Sequence, residues 1–285
     1  MEKESLRIYR TDHRPEANYL LIEPWVQYNV NYYNDFEINI NNLNQFFGEF
    51  VTIYNIYKND IHFEYLGFDH HNKIIIFDYE NFDELTLDNN SFLYFYYQDL
   101  KEDFNAFINI VPESEMRFWD SYIVFSRWMV KDLLYDLTKQ YILDTLGEDY
   151  SCTLHNPNES YIFIKRNIFF GNYHFFEEYC QFICGWMEMI NEHFNLDWDP
   201  LKYRQFVFDN IYNKTDEDHD KLPWKYESYQ KLDISIAYRV LSYILEWLSH
   251  IYFKTKTPIL YSEFNRNEYY DDYLLLSKTQ ENEEG

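Results

Sequence analysis

Two hydrophobic periods share this chain, and few architectures can bury both in the order in which they occur. Short β-prone runs lie at 6–9, 19–22, 65–68, 74–77, 92–97, 107–111 and 161–164. Between and after them, apolar residues recur at helical spacing. Leu43, Phe46, Phe47, Phe50, Val51, Tyr54 and Tyr57 predict one amphipathic helix over 43–57. Phe125, Trp128, Met129, Leu133, Leu137, Tyr141 and Ile142 predict a second. Phe176, Tyr179, Cys180, Ile183, Trp186, Met187 and Ile190 predict a third, and 234–252 a fourth. Strands and helices mix through the first two thirds and helices dominate the last. That order predicts an α/β fold with a central mixed sheet, helices covering it, and a helix-rich C-terminal half.

No composition shift marks a linker and no repeat of 20 to 50 residues is visible, so the 285 residues read as one domain over 1–276 with an acidic tail over 277–285. The 30 Tyr, 25 Phe and 7 Trp supply enough large side chains for a sizeable core. They say little about function, because an AT-rich coding sequence enriches the same residue types.

A formal charge of -25 opposes binding to a phosphate backbone, which needs clustered Lys and Arg, and so excludes nucleic acid as a partner. The opening MEKESLRIYR has no apolar run behind its charges and does not resemble a secretory signal, so the chain is expected in the cytoplasm. The most apolar segment, 234–252, is interrupted by Arg239 and Glu246, and no transmembrane span is predicted. Three cysteines, an odd number, suggest reduced thiols; Cys180 and Cys184 share a helix face without further ligands at zinc spacing and read as packing residues.

Several polar clusters invite chemistry. Asp69, His70 and His71 follow a strand, where a carboxylate and two imidazoles suit proton transfer or a metal. Adjacent strand residues cannot all face one ligand, and the other acidic motifs of an Asp-His-His metal hydrolase are missing, so a polar turn competes with that reading. Asp197 and Asp199, and Asp218 and Asp220, form Asp-x-Asp pairs able to hold Mg or Mn, but both read as solvated loops between helices. Phosphate-cradling glycine motifs and nucleophile elbows are absent. Arg239 and Glu246 stand two turns apart within an apolar helix pattern; a charge near a core needs a partner or a role, and a structural ion pair or solvent exposure is the alternative.

At these segments the chain resembles a family of bacterial proteins from capsule and O-antigen clusters, long called a domain of unknown function and regarded as glycosyltransferases. The family's helix pattern E-x-T-x-L-Y-W-x-W-K-N corresponds to EFVTIYNIYKN, and its D-Y-x-G-L-C-H-Y-R-R-Y-F to EYLGFDHHNKII. Glu49, Tyr54, Lys58, Asn59, Tyr65, Gly67 and His70 match in register. Asn167, Phe169, Phe176, Tyr179 and Cys180 match a later N-M-F-I-M-x-K-x-x-F-x-x-Y-C segment. Arg239, Glu246 and Leu248 match an R-x-x-G-F-L-S-E-R-L helix, and 256–259 a closing K-x-x-P segment. The order and spacing agree over nearly the whole chain. Departures are Asn72 and Lys73 at the family's paired arginines, Val51 at its threonine and Trp247 at a later arginine.

The resemblance implies a nucleotide-sugar-transferase-like domain of the GT-A type. It would transfer a sugar from a nucleotide donor, UDP-linked by expectation, to a surface-polysaccharide acceptor. Mn or Mg is left open, as is peripheral association with other polysaccharide enzymes. Such chemistry needs a base for the acceptor hydroxyl and cations for the departing diphosphate. The expected catalytic residues are Glu246, Asp69 and His70; His13, Lys58, Lys73 and Arg239 are the expected contacts to donor or acceptor. His13 enters because ligands of open α/β sheets bind beyond the carboxyl ends of strands. The competing reading is a non-catalytic acidic binding or inhibitor protein, motivated by the lost arginine pair and the charge.

Overall fold

The computed structural model describes residues 6–11, 36–63, 65–70, 73–77, 91–95, 106–110, 133–147, 164–212, 234–255 and 260–263. Among these described residues, seven strands form one mixed sheet: β1 (Leu6–Thr11), β2 (Tyr65–His70), β3 (Lys73–Phe77), β4 (Ser91–Phe95), β5 (Ala106–Ile110), β6 (Ile164–Asn172) and β7 (Leu260–Glu263). β1 pairs parallel with β2, β2 antiparallel with β6, β6 antiparallel with β5, and β5 parallel with β7. β3 joins β2 through the single antiparallel pair His70 with Lys73 and runs parallel to β4. Strands from both ends of the sequence, β1 and β7, therefore belong to the same sheet. Helices are α1 (Asn44–Phe47), α2 (Phe50–Lys58), α3 (Leu133–Leu146), α4 (Tyr173–His193), α5 (Pro200–Val207), α6 (Ile234–Tyr238) and α7 (Val240–Thr255).

Burial of aromatic side chains joins the helices to the sheet. Phe68 on β2 and Phe169 on β6 are register partners, 5.3 Å apart between ring centroids. Phe68 stacks on Phe176 of α4 at 5.6 Å, and Phe169 meets Tyr179 of α4 edge-on at 5.0 Å and Phe253 of α7 at 5.6 Å. Phe253 also stacks on Tyr179 at 5.0 Å. Edge and offset contacts of this kind add about 0.5–1.5 kcal/mol per pair beyond area burial. One face of the sheet is thus covered by α4 and α7. A second cluster lies among the helices, where Trp198 sits 4.9 Å from Tyr54, and Phe46 lies 5.3 Å from Tyr203 and edge-on to Tyr238 at 5.5 Å.

Two expectations, both of single helices, are corrected. The helix expected over 43–57 is two helices and a 3-10 turn (Asn41–Leu43), broken at Gly48. Its apolar positions are buried as the periodicity requires, from Leu43 through Phe46, Phe47, Phe50 and Val51 to Tyr54. The break exists because Gly48 adopts φ 56° and ψ -136°, a conformation that a Cβ disfavours. Positions 161–163 of the strand expected at 161–164 lie outside the described residues, and the described strand is Ile164–Asn172, which the run Ile168, Phe169, Phe170 favours by β-propensity. It passes directly into α4, and Asn172 serves both elements: its backbone pairs with Tyr65 and its side-chain oxygen accepts from Phe175 N at 2.9 Å as an N-cap. The helix expected over 234–252 divides into α6 and α7 at Arg239. The expected strand at 19–22, helix positions 125–129, and residues 277–285 lie outside the described residues.

Gly48→Ala is expected to destabilise by about 2 kcal/mol, combining a strained backbone with crowding. A Cβ there would stand 2.9 Å from Ser242 Oγ of α7. Chemical denaturation measures it; a midpoint equal to wild type would remove Gly48 as the cause of the break.

Candidate functional site

Residues 69–73 were expected to form one polar cluster, but the strands sort them. Tyr9 and Phe68 are register partners on the face covered by α4, with rings 6.1 Å apart. Strand alternation then puts positions 11 and 70 on that same face and positions 10 and 69 on the other. Thr11 pairs with His70 and Arg10 with Asp69. Position 73, opposite His70 in antiparallel register, shares the face of position 70. Positions 11, 70 and 73 are therefore neighbours in register on one sheet face, and position 69 belongs to the other. Because β1 and β2 are parallel, Thr11 and His70 are both carboxyl-terminal strand ends, the side of an α/β sheet where ligands collect. His13, His71 and Asn72 lie outside the described residues.

Glu246 is buried at 7% exposure on α7, within a polar stripe that α7 presents at Ser242, Glu246 and Ser249. The spacing of four and three residues keeps the three on one side of the helix. Ser249 Oγ is 2.7 Å from the buried Tyr179 hydroxyl and donates to Leu245 O at 2.8 Å. Burial pushes Tyr179 well above the ordinary tyrosine range, against a hydrogen bond to Ser249 that lowers it. Ser242 Oγ is buried with no hydrogen-bond partner among the described residues. Arg239, expected beside Glu246, is exposed at the α6–α7 break, with its guanidinium 5.5 Å from the centre of the Tyr243 ring.

Lys58 is held by a residue that the sequence did not single out. Its ammonium lies 2.5 Å from Glu188 Oε1 on α4, and the same oxygen accepts from the Tyr54 hydroxyl at 3.2 Å. The ammonium also lies 5.8 Å from the Tyr54 ring centre and 5.6 Å from that of Tyr57. Burial lowers the Lys58 pKa, but the hydrogen bond and charge of Glu188 outweigh it and hold Lys58 above its ordinary value. Tyr54 is raised by burial, then by the charge of Glu188. Of the other residues matched in register, Asn59 ties residues 36–43 to α2: Ile38 N donates to Asn59 Oδ1 at 3.1 Å, and Asn59 Nδ2 donates to Ile38 O at 2.7 Å. Asn55 does the same one turn earlier, accepting from Ile40 N at 2.9 Å.

No family model matches the chain, and no curated protein does. Among solved structures it is similar to the apo form of WbbM, a bifunctional glycosyltransferase, at 14% identity and a TM-score of 0.46. The match covers 92% of this chain and 45% of that one, so the chain spans less than half of that protein's length. At this identity no residue role passes from one chain to the other.

The Asp-x-Asp pair that can be seen has local duties. Asp199 caps α5 by accepting from Leu201 N at 2.8 Å, and Asp197 pairs with Lys202. Asp218 and Asp220 lie outside the described residues. Among the described residues no three His, Cys, Asp or Glu side chains stand close enough to hold a metal ion. Cys180 and Cys184 are buried free thiols, and burial pushes Cys180 well up, as suits packing residues. No described helix is long and apolar enough to cross a membrane.

Glu188 escaped the sequence reading because one carboxylate on the polar side of an amphipathic helix carries no signal of its own. Only the packing of α2 on α4 makes it the partner of Lys58.

Proposed function

We propose that the chain is a glycosyltransferase of the GT-A type that moves a sugar from a nucleotide donor, a UDP-sugar in the first instance, to a surface-polysaccharide acceptor. The observation that carries this reading is the register that sets Thr11 beside His70 at the carboxyl-terminal ends of β1 and β2, with Lys73, the first residue of β3, opposite His70. One of the motifs that resemble capsule-type transferases then falls at the part of an α/β sheet that takes nucleotides.

In this reading Lys73 and His70 contact the diphosphate, supplying positive charge where the family has paired arginines. Glu246 is the base. Asp69 is the weaker candidate, because position 69 belongs to the opposite face while α7, which carries Glu246, covers the face of positions 70 and 73 through Phe253 and Phe169. The acceptor hydroxyl loses its proton to Glu246 as its oxygen bonds to the anomeric carbon, and the bond from that carbon to the diphosphate oxygen breaks with the electron pair leaving on the nucleotide. A divalent cation, if used, would neutralise the same diphosphate. Lys58 is reassigned away from the diphosphate, since Glu188 already neutralises it.

Calorimetry across a panel of nucleotide sugars tests the reading. At least one donor is expected to bind, and Glu246→Gln is expected to lower turnover by about 10²-fold or more with donor affinity retained. Lys73→Ala is expected to weaken the donor instead. Failure to bind any nucleotide sugar would favour the acidic binding protein.

A further inference from the structure

Beside the ion pair of Lys58 and Glu188, α4 borders an open cleft of about 570 Å³ lined by Gly185, Glu188, Met189, Glu192 and His193. Gly185 lacks a side chain because the Tyr141 hydroxyl, which donates to Phe182 O at 2.6 Å, would stand 2.6 Å from a Cβ at that position. A glycine within a helix costs roughly 1 kcal/mol relative to alanine, and here it lets Tyr141 of α3 pack against α4 beside the cleft.

We propose that this cleft takes a neutral, hydroxyl-bearing segment of the acceptor glycan and excludes the nucleotide diphosphate; the proposal rests on the transferase reading above. Charge makes the first distinction. Lys58 and Glu188 neutralise each other at 2.5 Å, and Glu192 adds a further carboxylate within a chain of formal charge -25. A diphosphate would face the carboxylates of Glu188 and Glu192 at close range, with no lysine among the described residues that line the cleft. Neutral hydroxyls carry no such penalty.

Hydrogen-bonding capacity makes the second distinction. Lys58 offers N–H donors beyond the one directed to Glu188, and Glu188 keeps Oε2 in addition to the Oε1 shared by Lys58 and Tyr54. The two side chains are 28% and 35% exposed, so they are ordered by each other yet reachable. A sugar hydroxyl both donates and accepts, which matches an adjacent ammonium and carboxylate; the thioether of Met189 gives its C–H surface an apolar contact. Tyr54, buried at 4% exposure, fixes the carboxylate from beneath.

Saturation-transfer NMR on the full chain tests this with two probes, a mixture of lactose and maltotriose, and UDP. Wild type is expected to bind sugar. Glu188→Gln, which keeps shape but removes the charge holding Lys58, is expected to weaken sugar about tenfold. Glu192→Trp replaces an exposed residue, fills the cleft without touching the ion pair, and is expected to abolish sugar binding even if the first variant folds poorly. UDP is expected to bind all three proteins equally. Sugar binding unchanged in both variants, or UDP lost in Glu192→Trp, would overturn the assignment. UDP bound without any sugar by wild type would overturn the acceptor cleft and leave the transferase reading standing, whereas a wild type that binds neither overturns both.

Discussion

Past pH 10 the protein is expected to lose its helices in one cooperative step, with tyrosinate absorbance rising in the same step. Tyr54, Tyr141, Tyr179, Tyr203 and Tyr252 are all raised above the ordinary value of 10.0, chiefly by burial. Tyr173 is pushed up to about 12 by burial and then by the charges of Glu177 and Asp60. In the unfolded chain such tyrosines ionise near pH 10. Because the folded values are the higher ones, their stabilising contribution is complete below pH 10 and falls as pH climbs toward those values. Lys58, also raised, loses its contribution in the same direction.

Each tyrosine kept protonated by the fold removes about 1.4 kcal/mol per pH unit once its unfolded form ionises. Tyr54, Tyr179, Tyr203 and Tyr252 are each less than 5% exposed, so solvent screening gives them little relief. Together they amount to about 5.5 kcal/mol per unit, set against a typical total stability of about 5–15 kcal/mol. Far-ultraviolet circular dichroism and tyrosinate absorbance, followed over one titration, measure both events. Tyrosinate formation complete near pH 10 with the helical signal intact would show that these hydroxyls are not held in the core.

Trp186→Ala is expected to cost about 3–5 kcal/mol, enough to unfold a protein of ordinary stability at moderate temperature. Trp186 is fully buried on α4, and its indole N–H donates to Thr138 Oγ1 on α3 at 3.0 Å. Truncation leaves a cavity and orphans a hydroxyl that is 1% exposed. Trp186→Phe separates the two effects, since it keeps most of the bulk while leaving Thr138 without its donor, for an expected loss of about 1–3 kcal/mol. Denaturant midpoints with unchanged slopes would report stability alone. Equal stability in Trp186→Ala and wild type would contradict the burial described for α4.

The periodicity read from the residues located most elements to within a few positions. β2 to β5 follow the β-prone runs, and α4 buries Phe176, Tyr179, Cys180, Ile183, Trp186, Met187 and Ile190 as its pattern requires. The misplacements have physical causes. Helical spacing through Gly48 continued on paper, but periodicity measures where apolar side chains fall and not whether the backbone between them stays helical. The residues up to Asn172 were not read as strand, because an apolar run beside a helix can serve as either element until pairing with β2 and β5 selects one.

The candidate site was legible in part. Glu246 stood out in the sequence because it interrupts an apolar helix face, whereas Lys58 was singled out only by the family resemblance. Glu188 was not, because nothing along one chain links it to Lys58 across 130 residues.

The amino-acid sequence alone determined which residues seek the core, since hydrophobic burial depends on side-chain type and its local period. Tertiary structure alone decided that β2 lies between β1 and β6, which face of the sheet α4 and α7 cover, and that Glu188 claims Lys58. Strand register, helix crossing and charge pairing are set by residues distant in sequence, and no local pattern encodes which of them will meet.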